Sequence, residues 1–122
     1  MGESKLKVAT KAINLMQYTM QITSNRKRYP AKHLILVQRI QNTCMDIYEF
    51  ILDSNRQNLN LSKDVRLELQ SKVITSCDKL SCYIEISMNL GIVGSKTVEC
   101  WQKKINDVKY MTISWRERDR KR

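Results

Sequence analysis

Apolar residues recur along the chain at alternating steps of three and four, the spacing of helices that bury one face. Three short breaks, at Asn25–Pro30, Ser54–Leu61 and Gly91–Ser95, divide the pattern into four stretches. The first, from about Lys5 to Asn25, aligns Val8, Ala12, Leu15, Thr19 and Ile22, with Ile13, Met16 and Met20 widening the stripe. The second, from about Ala31 to Asn55, aligns Val37, Ile40, Cys44, Ile47 and Ile51, flanked by Leu36, Tyr48 and Leu52. The third, from about Lys63 to Leu90, carries Leu69, Val73, Cys77, Leu80, Ile84 and Met88. The fourth, from about Lys96 to Arg118, carries Val98, Trp101, Ile105, Val108, Thr112 and Trp115 in the seam spacing of a bundle helix.

The breaks contain residues that start and stop helices. Pro30 suits the first turn of the second helix, where its missing N–H costs nothing. Ser62 is placed to cap the third helix with Asp64 in its first turn, and Ser95 to cap the fourth. Gly91 sits where a left-handed residue ends a helix, and Ile92 can supply the hydrophobic contact that follows. Four helices of roughly 20 to 28 residues, joined by short loops, predict an all-α fold: an antiparallel up-down-up-down four-helix bundle about 30–40 Å long. Ile13, Met20, Leu36, Met45, Tyr48, Cys100 and Met111 fall outside the narrow stripes. They are read either as a wide core or as a second face buried between subunits.

Composition fits this reading. At 122 residues the chain has room for one core, hence a single domain over 1–122 ending in a short basic tail. Three glycines and one proline are too few for the turns of an all-β domain. No run approaches the roughly 18 apolar residues of a membrane span. The first 20 residues lack the apolar core of a secretory signal. A cytoplasmic location is expected. Cys44, Cys77, Cys82 and Cys100 form no C-x-x-C pair, and Cys77 and Cys82 lie about 140° apart around a helix. They are expected to be small core or near-core residues in a reducing compartment.

Charge changes the picture most. There are 22 Lys and Arg against 12 Asp and Glu, a net +10 that favours polyanionic partners. Residues 1–33 carry +6 and residues 95–122 carry +5, whereas 34–62 carry −1 and 63–94 are neutral. Arg26, Lys27, Arg28 and Lys32, with His33, mark the first loop; Arg116, Arg118, Arg120, Lys121 and Arg122 mark the C-terminus. In an up-down-up-down bundle these are opposite ends, the lower one also holding Lys5 and Lys7. Lys103, Lys104 and Lys109 lie between, so a phosphate backbone is expected to follow the side formed by helices one and four. Tyr29, Tyr110 and Trp115 lie near the basic runs, Tyr29 being the favoured base-stacking residue and Trp115 a core residue. The loop beside Pro30 is expected to hold its charges more firmly than a frayed tail.

No catalytic constellation is present. His33 is the sole histidine and no phosphate-binding glycine motif occurs. Asp46, Glu49 and Asp53 share a helix face and are read as a solvated edge or as partners of Arg39 or Arg56, not as a metal site. No enzyme activity, cofactor or metal is expected.

The run Tyr18-Thr-Met-Gln-Ile-Thr-Ser-Asn-Arg-Lys-Arg-Tyr-Pro30, with Arg39-Ile-Gln-Asn and Asp46-Ile-Tyr48-Glu, is similar to the accessory variability determinant (Avd) proteins of diversity-generating retroelements. Cys77-Asp-Lys-Leu, Asn89-Leu-Gly91-Ile, Asp107-Val-Lys109-Tyr-Met and Trp115-Arg116 extend the resemblance over about residues 8–118. The wider superfamily includes four-helix-bundle proteins encoded in intervening sequences of bacterial ribosomal RNA genes. The resemblance implies a homopentameric barrel of such bundles. It also implies a non-enzymatic partner of a reverse transcriptase that binds template RNA and other nucleic acid during mutagenic copying. The alternative it leaves is the intervening-sequence type, binding RNA or protein. The basic residues named above are the binding positions this implies.

Overall fold

A computed structural model describes the backbone of residues 3–122 and side chains from Lys7 onward, so Lys5 falls outside the described side chains. It contains α1 (Glu3–Thr23), α2 (Leu34–Arg56), α3 (Lys63–Asn89) and α4 (Ser95–Lys121), with a 3-10 turn at Ala31–His33 and no strand among the described residues. Successive helices pack side by side and α1 closes against α4, giving a four-helix bundle. Bonds between helix ends show that neighbours run antiparallel. Gln41 near the start of α2 donates to Thr23 at the end of α1 (2.9 Å), and Arg66 near the start of α3 donates to Asp119 near the end of α4 (2.7 Å).

The core follows the seams. Leu15, Ile40, Ile47, Val73, Leu80, Ile84, Trp101 and Val108 are buried from all four helices. The outer members of the third stripe differ from expectation. The buried positions there are Arg66, Gln70, Val73, Ser76, Cys77, Leu80, Ile84 and Ser87, with Leu69 and Met88 only half-buried. Thr19 provides a polar centre, accepting from the Trp101 indole N–H at 2.9 Å and from the Cys44 thiol at 3.7 Å. Tyr18 meets Trp101 edge-on, with centroids 6.2 Å apart.

The stop after α3 is the expected glycine one. Gly91 has φ +74°, its N–H bonds to the Met88 carbonyl, and the Ile92 N–H bonds to that of Ser87, both at 2.9 Å. This double closure satisfies carbonyls that the helix leaves free. Ser62 stands at the start of α3 with Asp64 in the first turn, as expected, but the other starts and the capping bonds differ. Pro30 precedes the 3-10 turn, Gly94 is the cap of α4, and neither Ser62 nor Ser95 caps through its side chain. The Ser62 hydroxyl instead donates to the Asn58 carbonyl at 3.2 Å, closing the preceding loop.

Of the apolar surplus, Leu36, Tyr48 and Met111 lean against the core, Ile13 and Met20 are half-buried, and Met45 and Cys100 are exposed. Exposed apolar residues lie mainly elsewhere, with Ile35 at 79% and Leu61 at 88% of full exposure. Cys44 and Cys77 are buried as expected, but Cys82 and Cys100 are exposed. Each of these two follows the core-facing position of its helix by a step that rotates it outward. Burial pushes the Cys44 thiol up to about 11 and the Cys77 thiol up to about 12. Thiolate is the reactive form, so an aromatic disulfide reagent at neutral pH should label Cys82 and Cys100 in the native protein and reach Cys44 and Cys77 only after denaturation. Four equally fast thiols would contradict this burial.

Candidate nucleic-acid interface

The upper basic cluster is a tied turn. The Asn25 carbonyl accepts the N–H groups of Arg28 (3.1 Å) and Tyr29 (2.8 Å), and its side-chain Oδ1 accepts that of Lys27 (3.0 Å). Such an asparagine turn fixes the backbone without regular secondary structure. Tyr29 anchors it from below. Only 3% of Tyr29 is exposed, and its hydroxyl donates to Ser87 Oγ at 2.8 Å. Burial raises its pKa. Tyr29 is therefore not a base-stacking residue, contrary to expectation, because the bundle has used its ring as the plug between the loop and α3. Arg28 donates from Nη1 to Thr97 Oγ1 at 3.3 Å, whereas Arg26, Lys27 and Lys32 are exposed with no acidic partner among the described residues.

The lower cluster is not a tail. α4 continues through Lys121, so every member of the cluster but Arg122 lies on the helix, and Arg122 is its C-cap. The cause is Asp119, which extends the seam one step past Trp115 and is 2% exposed. Its Oδ2 accepts from Arg66 Nε at 2.7 Å and from Gln70 Nε2 at 2.8 Å. The Arg66 guanidinium also donates to the Gln57 carbonyl at 3.0 Å and lies 5.3 Å from the centroid of the Trp115 ring. Lys63 Nζ closes the helix end, donating to the carbonyls of Arg120 and Arg122 at 3.0 Å each. A cation there satisfies free carbonyls and complements the helix dipole. Arg120 forks onto Glu117 at 2.6 and 2.8 Å, holding that carboxyl below its ordinary value. Lys121 stands 3.8 Å from the same group. Arg118 and Arg122 are exposed without an acidic partner among the described residues.

The cations between the ends divide between two sides of α4. Lys109 is paired with Asp78 of α3 at 2.7 Å, which raises its pKa, and Arg116 Nε donates to the Leu67 carbonyl at 3.1 Å. Both face α3, so they do not join the expected track on the α1 side. At 100° per residue, neighbours in sequence cannot share one edge. Lys104 does face α1, with its ammonium 5.2 Å from the Tyr18 ring centroid, and Lys103 projects outward. Lys7 is exposed on the α1 side, while Lys11 is within 3.8 Å of Asp107.

Thus the candidate residues form two end clusters with a thinner line of cations between them. At 1.5 Å per residue the ends lie about 35–40 Å apart, well beyond a Debye length of about 8 Å. Such an arrangement can hold phosphates at two electrostatically separate places. Of the acidic residues on α2, Asp53 lies 3.6 Å from Arg56, the pairing expected of a solvated edge. Among the described residues no three His, Cys, Asp or Glu side chains converge to hold a metal ion, and no helix is long and apolar enough to cross a membrane. Comparison with protein-family models, with curated proteins and with solved structures gives no match for this chain.

Proposed function

We propose that this protein is a non-enzymatic, cytoplasmic, nucleic-acid-binding accessory subunit that partners a retroelement reverse transcriptase and its template RNA in mutagenic reverse transcription. The observation that carries the reading is a net +10 gathered at two ends of a rigid bundle, where Arg26, Lys27, Lys32, Arg118 and Arg122 stand without acidic partners among the described residues. Helix dipoles need one or two cations each, not two clusters of this size. Assignment to a reverse transcriptase rests on the Avd resemblance. So does a homopentameric ring, supported by exposed Ile35, Leu61 and Leu90, which head-to-tail contacts between identical subunits can cover.

The reading requires a reverse transcriptase gene beside this one, and co-expression of the two proteins tests it. The tagged protein should carry down that enzyme and the element's template RNA. Light scattering of the protein alone should give about five times the 14.4 kDa chain mass. A 14.4 kDa particle at micromolar concentration would overturn the ring. Recovery of ribosomal RNA without a transcriptase would move the protein to the intervening-sequence type.

A further inference from the structure

We propose that the outer face of α4 around Tyr110 is a subsite for single-stranded nucleic acid, where Tyr110 stacks on an unpaired base between phosphates held by Lys103 and Arg118. The inference rests on the polyanion-binding reading above and adds a place and a ligand form to it. Among the described residues Tyr110 is the one exposed aromatic ring, at 59% of full exposure. Trp101, Trp115 and Tyr29 are buried, and Tyr18, Tyr48, Phe50 and Tyr83 lean on the core. A tyrosine left in solvent in mid-helix contributes little to the fold, but it offers a flat π-face that any base can cover.

The surroundings of this ring are concave, with cations on both sides of it and the smaller depression free of acidic residues. Two depressions, of about 600 and about 370 Å³, meet at Tyr110 and Met111. Lys11 and Lys103 border the larger, Lys7 and Arg118 the smaller. Glu99 and Asp107 also line the larger, with Asp107 already within 3.8 Å of Lys11. Lys103 lies seven residues before Tyr110 and Arg118 eight after it, about 10–12 Å either way along the helix. Lys103, Tyr110 and Arg118 lie on the outward half of α4, away from the seam of Ile105, Val108, Thr112 and Trp115. The Lys109 ammonium, held by Asp78 at 2.7 Å, stands 5.7 Å from the Tyr110 ring centroid and adds a fixed positive charge beside it.

Stacking on the ring requires an unpaired base. A duplex keeps its base faces against one another and presents only phosphates to this surface, so the ring distinguishes single from double strands while the cations do not.

The test uses a fluorescently labelled 20-nucleotide single-stranded RNA and the same sequence as a duplex, bound to the full-length protein and followed by anisotropy across a salt series. Tyr110→Ala should weaken single-strand binding about 5- to 150-fold, leave duplex binding within about twofold, and leave the salt slope unchanged because no charge is lost. Tyr110→Phe should bind like the parent. Tyr110→Leu, which keeps an apolar helix-forming side chain, should behave like the alanine variant and excludes a folding cause. Lys103→Gln with Arg118→Gln should flatten the salt slope for both nucleic acids. Unaltered single-strand binding by Tyr110→Leu, or an equal loss for single strand and duplex, overturns the subsite and leaves the polyanion reading standing. Failure of the unaltered protein to bind either form overturns that reading and the subsite with it.

Discussion

Replacing Asp119 with alanine should cost about 3–5 kcal/mol of folding stability, far more than any other charge on α4. Arg66 and Asp119 are 3% and 2% exposed, so removing the carboxylate strands a guanidinium in the interior. Gln70 Nε2 loses its acceptor at the same time, and Gln70 Oε1 is already without a partner. By contrast Arg120 and Glu117 form an equally short contact at the surface, where solvent screens it and Glu117→Gln should leave stability nearly unchanged. The Asp119 cost reflects an uncompensated buried charge more than the intrinsic value of the pair. Replacing the whole cluster with apolar side chains, Arg66→Met, Gln70→Met and Asp119→Leu together, should therefore recover most of the loss. Urea unfolding of the two proteins checks this. A loss below about 1 kcal/mol for Asp119→Ala, or a triple variant as unstable as the single one, would show that this lock does not hold the end of α4.

That lock also marks where the amino-acid pattern stopped being informative. The middles of all four seams were legible because residues such as Ile40, Ile47, Val73, Leu80, Ile105 and Val108 are both apolar and buried, so hydrophobicity and position agree. At the lower end they part. Ser54, Arg66, Gln70 and Asp119 continue the three-four spacing with polar side chains, and a stripe traced by hydrophobicity slides from Gln70 onto Leu69 or halts at Trp115. Their partners lie as many as 53 positions apart, and nothing local announces the bond. Strict extension of the spacing, with an arginine on one seam and an aspartate on its antiparallel neighbour, is the signal that would have found them. Tyr29 is a similar case. Its place after three basic residues fits an exposed loop, but its burial depends on Ser87 of another helix. Charge was legible as two clusters because clustering is a property of sequence and topology alone. Which cations stay free was not, since the pairing of Lys109 with Asp78 and of Arg116 with the Leu67 carbonyl depends on how α3 faces α4.

The same ordering of the C-terminus decides how the two basic ends should share nucleic acid. A frayed tail would lose conformational entropy on binding, leaving the Asn25 turn as the stronger site. Instead Lys63 and Arg66 hold the end of α4 as firmly as Asn25 and Tyr29 hold the upper turn. At each end one run of three cations then holds two without acidic partners among the described residues, Arg26 and Lys27 or Arg118 and Arg122, and one engaged elsewhere, Arg28 with Thr97 or Arg120 with Glu117. Two to three phosphate contacts per end correspond to about 1.5–3 in the slope of log K against log salt. The variants Arg26→Gln, Lys27→Gln, Arg28→Gln and Arg118→Gln, Arg120→Gln, Arg122→Gln should each flatten the slope by that amount. Over a fourfold change of salt this is about 8- to 60-fold in affinity. Both triple variants should melt near the parent, because the replaced side chains are exposed and surface changes of this kind move stability little. Combining them should remove most of the salt dependence, since ends about 35–40 Å apart contribute independently. If one triple variant keeps the full slope while the other loses it, nucleic acid occupies a single end, and the silent cluster is left free for a protein partner.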